Sequence, residues 1–334
     1  MAEPSEKTSG GADAVPDGVS AFVAKVLNQL SLSAWLPAAV FAASVTMLTQ
    51  FRSQRSLSVG HALKAITDHP GPILILILPI LVLTTMLTQA FSFGAIRALE
   101  GYWMRRGLMA WFRSLMIRRH ACRRDRLEER RAEIAKKAFS RARTAYLREY
   151  SYAVVGALEL QAVEQDVPEL SETDQATYDT ITWRDLCKPW DLAKVDQIDL
   201  QLKDYPDLPT RTMPTRLGNI LRRTEDSLQN AGDDVQGFAM RRRGFVSARV
   251  QTQHDQFRDR LDMYCTLVFA SAVLVAISVA ALWGRVRWWQ TTSVAVGFAL
   301  FAVVCYGSAI ASARGYCVAL RQMDDAEPRP TSGP

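Results

Sequence analysis

Four blocks of apolar residues separated by polar sequence set the plan of this chain: about Leu32 to Phe51, Ile73 to Ile96, Met263 to Trp283, and about Thr291 to Ala313. None of the four contains Asp, Glu, Lys or Arg. Each has roughly the 20 residues that a helix needs to cross the hydrocarbon core of a bilayer. Short connections within each pair predict two membrane hairpins. The polar stretch between them, residues 97–262, has little strand character, no Gly-rich turns and repeated helical spacing. From Gln236 onward, Phe238, Val246, Val250, Phe257, Leu261 and Tyr264 recur at spacings of three, four, seven and eight, predicting a helix that runs from solvent into the third span. The expected fold is therefore an all-α membrane protein: four transmembrane helices as two hairpins, with a helical cytoplasmic domain inserted between them.

Charge orients this plan. From Arg97 to Arg148 there are 16 basic and 5 acidic residues, directly after the second span. Lys and Arg close to a span mark its cytoplasmic end. The outer loops carry Arg52, Arg55, Lys64, Arg285 and Arg287, but the denser segment outweighs them and places both termini and residues 97–262 in the cytoplasm. The expected divisions are an N-terminal tail at 1–31, disordered or amphipathic, a first hairpin at 32–96, the inserted domain, a second hairpin at 263–313 and a cytoplasmic tail at 314–334. Thirty residues without a basic leader precede the first block, which is read as a retained span and not a cleaved signal.

Charge also divides the inserted domain. A basic stalk, 97–158, gives way to an acidic lobe, 159–207, where 13 acidic residues face only Arg184, Lys188, Lys194 and Lys203. Return helices occupy 211–262. The stalk should be one long helix from about Arg123 to about Val163, with Glu128 and Glu133 placed for pairs one turn on, ended by Pro168. Stalk and lobe are complementary in sign, so either they fold onto each other or each meets its own partner. Pro189, Pro206, Pro209 and Pro214 predict short helices in the lobe and after it.

At the start of the stalk, Leu108, Trp111, Phe112, Leu115 and Met116 form an apolar stripe among Arg105, Arg106, Arg113, Arg118 and Arg119. Such a helix suits the headgroup layer and anionic lipid, or else packs its stripe against another helix. Glu100, with Gly101 and the interfacial aromatics Tyr102 and Trp103, falls where the second span ends. Its expected partner is Arg216, within Pro214-Thr215-Arg216-Leu217-Gly218-Asn219, where Pro214 and Thr215 begin a helix and Gly218 permits close backbone approach. A headgroup or ion bound by Glu100 and Arg216 is the alternative to a structural pair. Ala272, Ala276 and Ala280, and Gly307, Ala311 and Gly315, form small-residue ladders that allow helices to pack closely, within a hairpin or between copies.

The motifs Leu99-Glu100-Gly101-Tyr102-Trp103 and Pro214 to Asn219, with Tyr306, Ala309, Ala313 and Tyr316 near the end, resemble those of a family of uncharacterised bacterial polytopic membrane proteins. The resemblance spans most of the chain from Ile73 to Leu320 and implies a bacterial inner-membrane location; it brings no activity with it. It departs between Asp226 and Arg243, where the family's Y-G-x-D and W-P-R-L patterns are missing.

Five cysteines are scattered without a C-x-x-C pair, and His61, His69, His120 and His254 match no catalytic or metal-ligand spacing. Neither a cofactor nor a metal is expected. Lipid phosphate accounts for the basic segment without nucleic acid. The expected function is that of a non-enzymatic scaffold or interaction module, with anionic lipid, a second copy of the chain (a homo-oligomer with coiled-coil character) and an unidentified cytoplasmic protein as partners. The alternative is a channel or pore-forming effector gated by the cytoplasmic domain, for which the thin polar content of the third and fourth spans is unfavourable.

Overall fold

The computed structural model describes residues 32–54, 70–103, 106–229 and 235–326. Within them every extended element is helical: α1 Leu32–Gln54, α2 Pro70–Glu100, α3 Gly107–Glu149, α4 Tyr152–Ala162, α5 Glu172–Tyr178, α6 Pro189–Leu202, α7 Arg216–Ser227, α8 Val235–Arg242, α9 Ala248–Leu282 and α10 Trp288–Asp324. Single 3-10 turns precede α7 and follow α8. Among the described residues, three helices are long and apolar enough to cross a membrane: α2 over Val82–Glu100, α9 and α10. The N-terminal tail expected at 1–31 and the first outer loop with Arg55 and Lys64 lie outside the described residues.

The chain divides into two compact units. One holds residues 1–96 and 255–312; the other holds 97–254 and 313–334. In the first unit, α1 packs on the second pair of apolar helices: Leu48 and Phe51 bury against Leu274 and Leu282, and Leu36 and Val40 lie against Met263, Leu267 and Cys305. The buried face of α9 is Leu267, Ser271, Leu274 and Ser278. Its hydroxyls are used within the helix, Ser271 donating to the Leu267 carbonyl at 2.6 Å and Ser278 to that of Val275 at 2.8 Å. A serine bonded this way occupies little more space than alanine and lets helices approach without an unsatisfied group. Neither small-residue ladder seats this packing. Ala272, Ala276 and Ala280 are exposed, as are Gly307 and Ala311, with Gly315 half-buried.

In the second unit the basic stalk and acidic lobe fold onto each other. Arg131, Ala135, Ala138, Phe139, Ala142 and Tyr146 of α3 recur at helical spacing and bury against Val154, Val155 and Leu158 of α4, Trp183, Cys187 and Val195. Arg131, 8% exposed, joins three elements: Nε meets Asp199 at 3.1 Å, Nη2 meets Glu164 at 2.9 Å, and Nη1 donates to the Ala162 carbonyl at 3.0 Å. Arg141 reaches Asp191 at 2.6 Å. Arg184 bridges Asp196 and Asp199 from within the lobe.

Two helical expectations change. The stalk helix starts at Gly107 and stops at Glu149, well before Val163. Tyr150 is extended, Ser151 accepts a hydrogen bond from the Val154 amide, and α4 packs back on α3. A serine cap plus burial of α4's apolar face outweighs the helical propensity of a straight continuation. The return helix is likewise interrupted, by the turn at Arg243–Phe245, before α9 carries the chain toward the third apolar block without a break.

Candidate functional site

The polar centre of the second unit forms where the three motif regions meet. At the end of α2, the Gly101 amide bonds the carbonyls of Arg97 (3.1 Å) and Ala98 (3.2 Å), and the Tyr102 amide bonds that of Arg97 at 3.0 Å. This helix stop needs a left-handed residue, and Gly101 supplies it at φ +97°. Trp103 Nε1 adds a donor to the Ala98 carbonyl at 2.6 Å, while its ring stacks on Phe112 at 5.3 Å.

The second motif is held from inside. Asn219 is fully buried. Its Oδ1 accepts from the Met213 amide at 2.7 Å, and its Nδ2 donates to the carbonyls of Met213 (3.0 Å) and Thr215 (2.8 Å). Thr215 caps α7 by accepting from the Gly218 amide at 3.0 Å. The asparagine thus fixes the chain entering α7, and the threonine starts the helix. Leu217 fills the interior below.

The two motifs touch through their glycines. A Cβ on Gly101 would fall on the Pro214 ring, and one on Gly218 would fall on the main-chain carbonyl of Glu100. The carboxylate bonded to Arg216, however, is Asp204 and not Glu100. Asp204 is 7% exposed and takes both Nε and Nη2 of Arg216, at 2.9 and 2.7 Å. A second guanidinium joins it: Arg314, from the terminal motif, donates Nε to Oδ1 at 3.1 Å and Nη2 to Oδ1 at 3.0 Å and to Oδ2 at 2.8 Å. Three residues on, Cys317 lies 3.9 Å from the Ile220 carbonyl of α7, and the Tyr316 ring faces His254 at 5.0 Å. Sequence reasoning missed Asp204 because it is one acid among 13, on a turn rather than in a periodic helix.

Beside Asp204, Tyr205 Oη lies 3.4 Å from His120 Nδ1 on α3. Burial pushes His120 below the ordinary histidine value, and Arg123, Arg119 and Arg216 push it further. Burial raises the Tyr205 phenol. For a histidine whose folded pKa lies below its unfolded value, the stability contribution is complete above about pH 6.5 and is lost as pH falls from there through the folded pKa. Thermal midpoints of the purified protein should therefore fall on acidification from about pH 7 to 5, and His120→Gln should flatten part of that slope. Identical slopes for both proteins would show that His120 carries none of it.

Among the described residues, the apolar stripe at the start of α3 is largely uncovered. Leu108 is 80% exposed and Trp111 62%, and Phe112 and Leu115 are also exposed. Arg106, Arg118 and Arg119 are exposed around it and Arg113 is half-buried. Arg105 lies outside the described residues. Further along, a groove of about 890 Å³ runs between α3 and the lobe, lined by alternating charges that include Arg124, Glu128, Arg184, Asp196, Lys203 and Arg223. Among the described residues no cluster of three or more His, Cys, Asp or Glu could hold a metal ion.

Compared with known proteins, the chain matches no family model, no curated protein and no solved structure.

Proposed function

We propose that this protein is a non-enzymatic scaffold of a bacterial inner membrane, with four spans as two hairpins, both termini cytoplasmic, and a helical domain that serves as an interaction module. The observation that carries the reading is how the polar side chains of the motifs are used. Asn219 and Thr215 are spent on backbone groups, and the Asp204 carboxylate on the inner edges of Arg216 and Arg314. This is the chemistry of a fixed support. The resemblance to uncharacterised bacterial membrane proteins fits it, since those motifs are the ones that meet here.

The exposed stripe around Trp111, among arginines, supports contact of α3 with anionic headgroups. The outward Ala272, Ala276, Ala280 ladder supports a homo-oligomer packed through α9. The mixed charges of the groove between stalk and lobe suit a cytoplasmic protein partner. Against a conduit stand the buried serines of α9, whose hydroxyls are already bonded to their own helix and offer little to permeating water.

Orientation and role are tested separately. Alkaline phosphatase fused at about residue 180 should be inactive, and a cytoplasmic reporter at the same place active; the reverse pattern would invert the topology. Crosslinking in native membranes from an engineered cysteine at Lys203 should give adducts of defined mass with another protein. Self-adducts alone would reduce the domain to an oligomerisation device.

A further inference from the structure

The Asp204 cluster is unbalanced. One carboxylate holds two guanidiniums, and both arginines address it with the same edge, Nε and Nη2. No hydrogen bond among the described residues uses Nη1 of either, and the two side chains remain 41% and 48% exposed while Asp204 is 7% exposed. Arg119 and Arg123, one turn apart on α3 and exposed, stand on the same side: with Arg216 they act on His120, whose ring meets Tyr205 next to Asp204. The acids nearby are engaged elsewhere, Asp207 with Arg223, Glu225 with Arg222, and Asp226 with Arg211. Two guanidiniums thus share the Asp204 carboxylate in direct contact, and the exposed Arg119 and Arg123 add positive charge at the neighbouring His120.

The position of the cluster along the chain narrows the ligand. Arg314 comes two residues after Ser312, where the unit containing the apolar helices ends. Arg216 sits two residues before Gly218, which lies against Glu100, itself four residues beyond Ile96. In the sequence, Arg314 directly follows the charge-free block that ends at Ala313, and Glu100 follows the one that ends at Ile96, the positions beside apolar blocks where headgroup contacts are expected. A guanidinium whose inner edge is fixed on a carboxylate presents its outer edge without further loss of side-chain freedom, and that fork matches two oxygens of a phosphate.

We propose that the outer edges of Arg216 and Arg314, with Arg119 and Arg123, form a binding site for the phosphate of an anionic phospholipid headgroup. This rests on the reading of a membrane-embedded protein that contacts anionic lipid, and it moves the specific contact from the exposed stripe of α3 to the built cluster around Asp204. The carboxylate aligns the two forks and limits their charge, so that lipid is retained by geometry as well as by attraction.

The test uses the full chain purified in neutral detergent and titrated with phosphatidylglycerol, phosphatidylcholine or inorganic phosphate, with bound lipid read by native mass spectrometry and stability by thermal midpoint. Phosphatidylglycerol should be retained and raise the midpoint, and the other two should do neither at equal concentration. Arg119→Gln/Arg123→Gln, which leaves the Asp204 contacts intact, and Arg216→Gln/Arg314→Gln should each weaken retention, the second by about tenfold or more. Asp204→Asn, which releases both forks while raising the local positive charge, should weaken retention; stronger retention would show attraction by charge alone and overturn a built site. Equal effects of inorganic phosphate and phosphatidylglycerol would make it an ion site and overturn the lipid assignment. If Trp111→Ser/Arg113→Gln abolished retention while the cluster variants kept it, this site would be refuted and the general lipid reading would stand. Equal retention of phosphatidylglycerol and phosphatidylcholine by the unaltered protein would remove both.

Discussion

Gly218→Ala is expected to destabilise the second unit by about 1–3 kcal/mol, and Gly101→Ala by more. At Gly218 the new methyl lands on the Glu100 carbonyl. Neither side has a flexible tip that could move away, because the obstacle is main chain at the end of α2 and the glycine is held in α7 between the Thr215 cap and Asn219. At Gly101 the methyl meets the rigid Pro214 ring, and the left-handed φ of +97° adds about 1–2 kcal/mol for any residue with a Cβ. In thermal unfolding Gly218→Ala should lower the midpoint by roughly 2–12 °C, taking 2–4 °C per kcal/mol for a chain of this size, and Gly101→Ala should lower it further. Gly156→Ala is the contrast. Gly156 lies inside α4, its Cβ would meet nothing within 4 Å, and alanine there should raise stability by about 0.5–1 kcal/mol. If Gly218→Ala behaved like Gly156→Ala, the contact between the two motifs would not exist in the folded protein.

What the sequence made legible were features with a period or a run. Apolar blocks of helical length gave α9 and α10, and opposite net charge made mutual packing of stalk and lobe one of two open outcomes, the one that Arg131 and Arg141 realise on Asp199 and Asp191 of α6. Gly218 could be read as a point of close approach because glycine beside a helix start has few other uses. The break at Tyr150 was harder: residues on both sides favour helix, and only Ser151, able to cap, marks it. Which use the ladders serve was not legible either, for a related reason. Ala272, Ala276 and Ala280 and the serines at 271 and 278 all offer small surfaces on α9, and which face turns inward is set by the partners Leu48 and Phe51 on α1, not by residue size. The Arg216 partner was not legible at all. Asp204 sits twelve residues upstream and Arg314 about a hundred downstream, so the cluster exists only through tertiary placement.

That placement gives the second large effect. Asp204→Asn keeps the shape of the side chain but removes the charge that holds Arg216 and Arg314 together. Breaking a fully buried pair costs about 3–5 kcal/mol because a charge is left without compensation. Here the carboxylate is buried but both guanidiniums are nearly half exposed, so water screens part of the repulsion, and a loss of about 2–3 kcal/mol is expected. Removing one arginine should cost less, since the other still neutralises the carboxylate: about 1 kcal/mol for Arg216→Gln or Arg314→Gln alone. Combining the two arginine changes should cost more than their sum, because Asp204 is then buried with no cation in contact. Double-mutant cycles on thermal or denaturant unfolding measure this directly. Mutual repulsion of the two guanidiniums also gives coupling of this sign, so the cycle is repeated in an Asp204→Asn background: coupling above about 1 kcal/mol that falls away there belongs to the shared carboxylate. Simple additivity would mean that Asp204 does not join them.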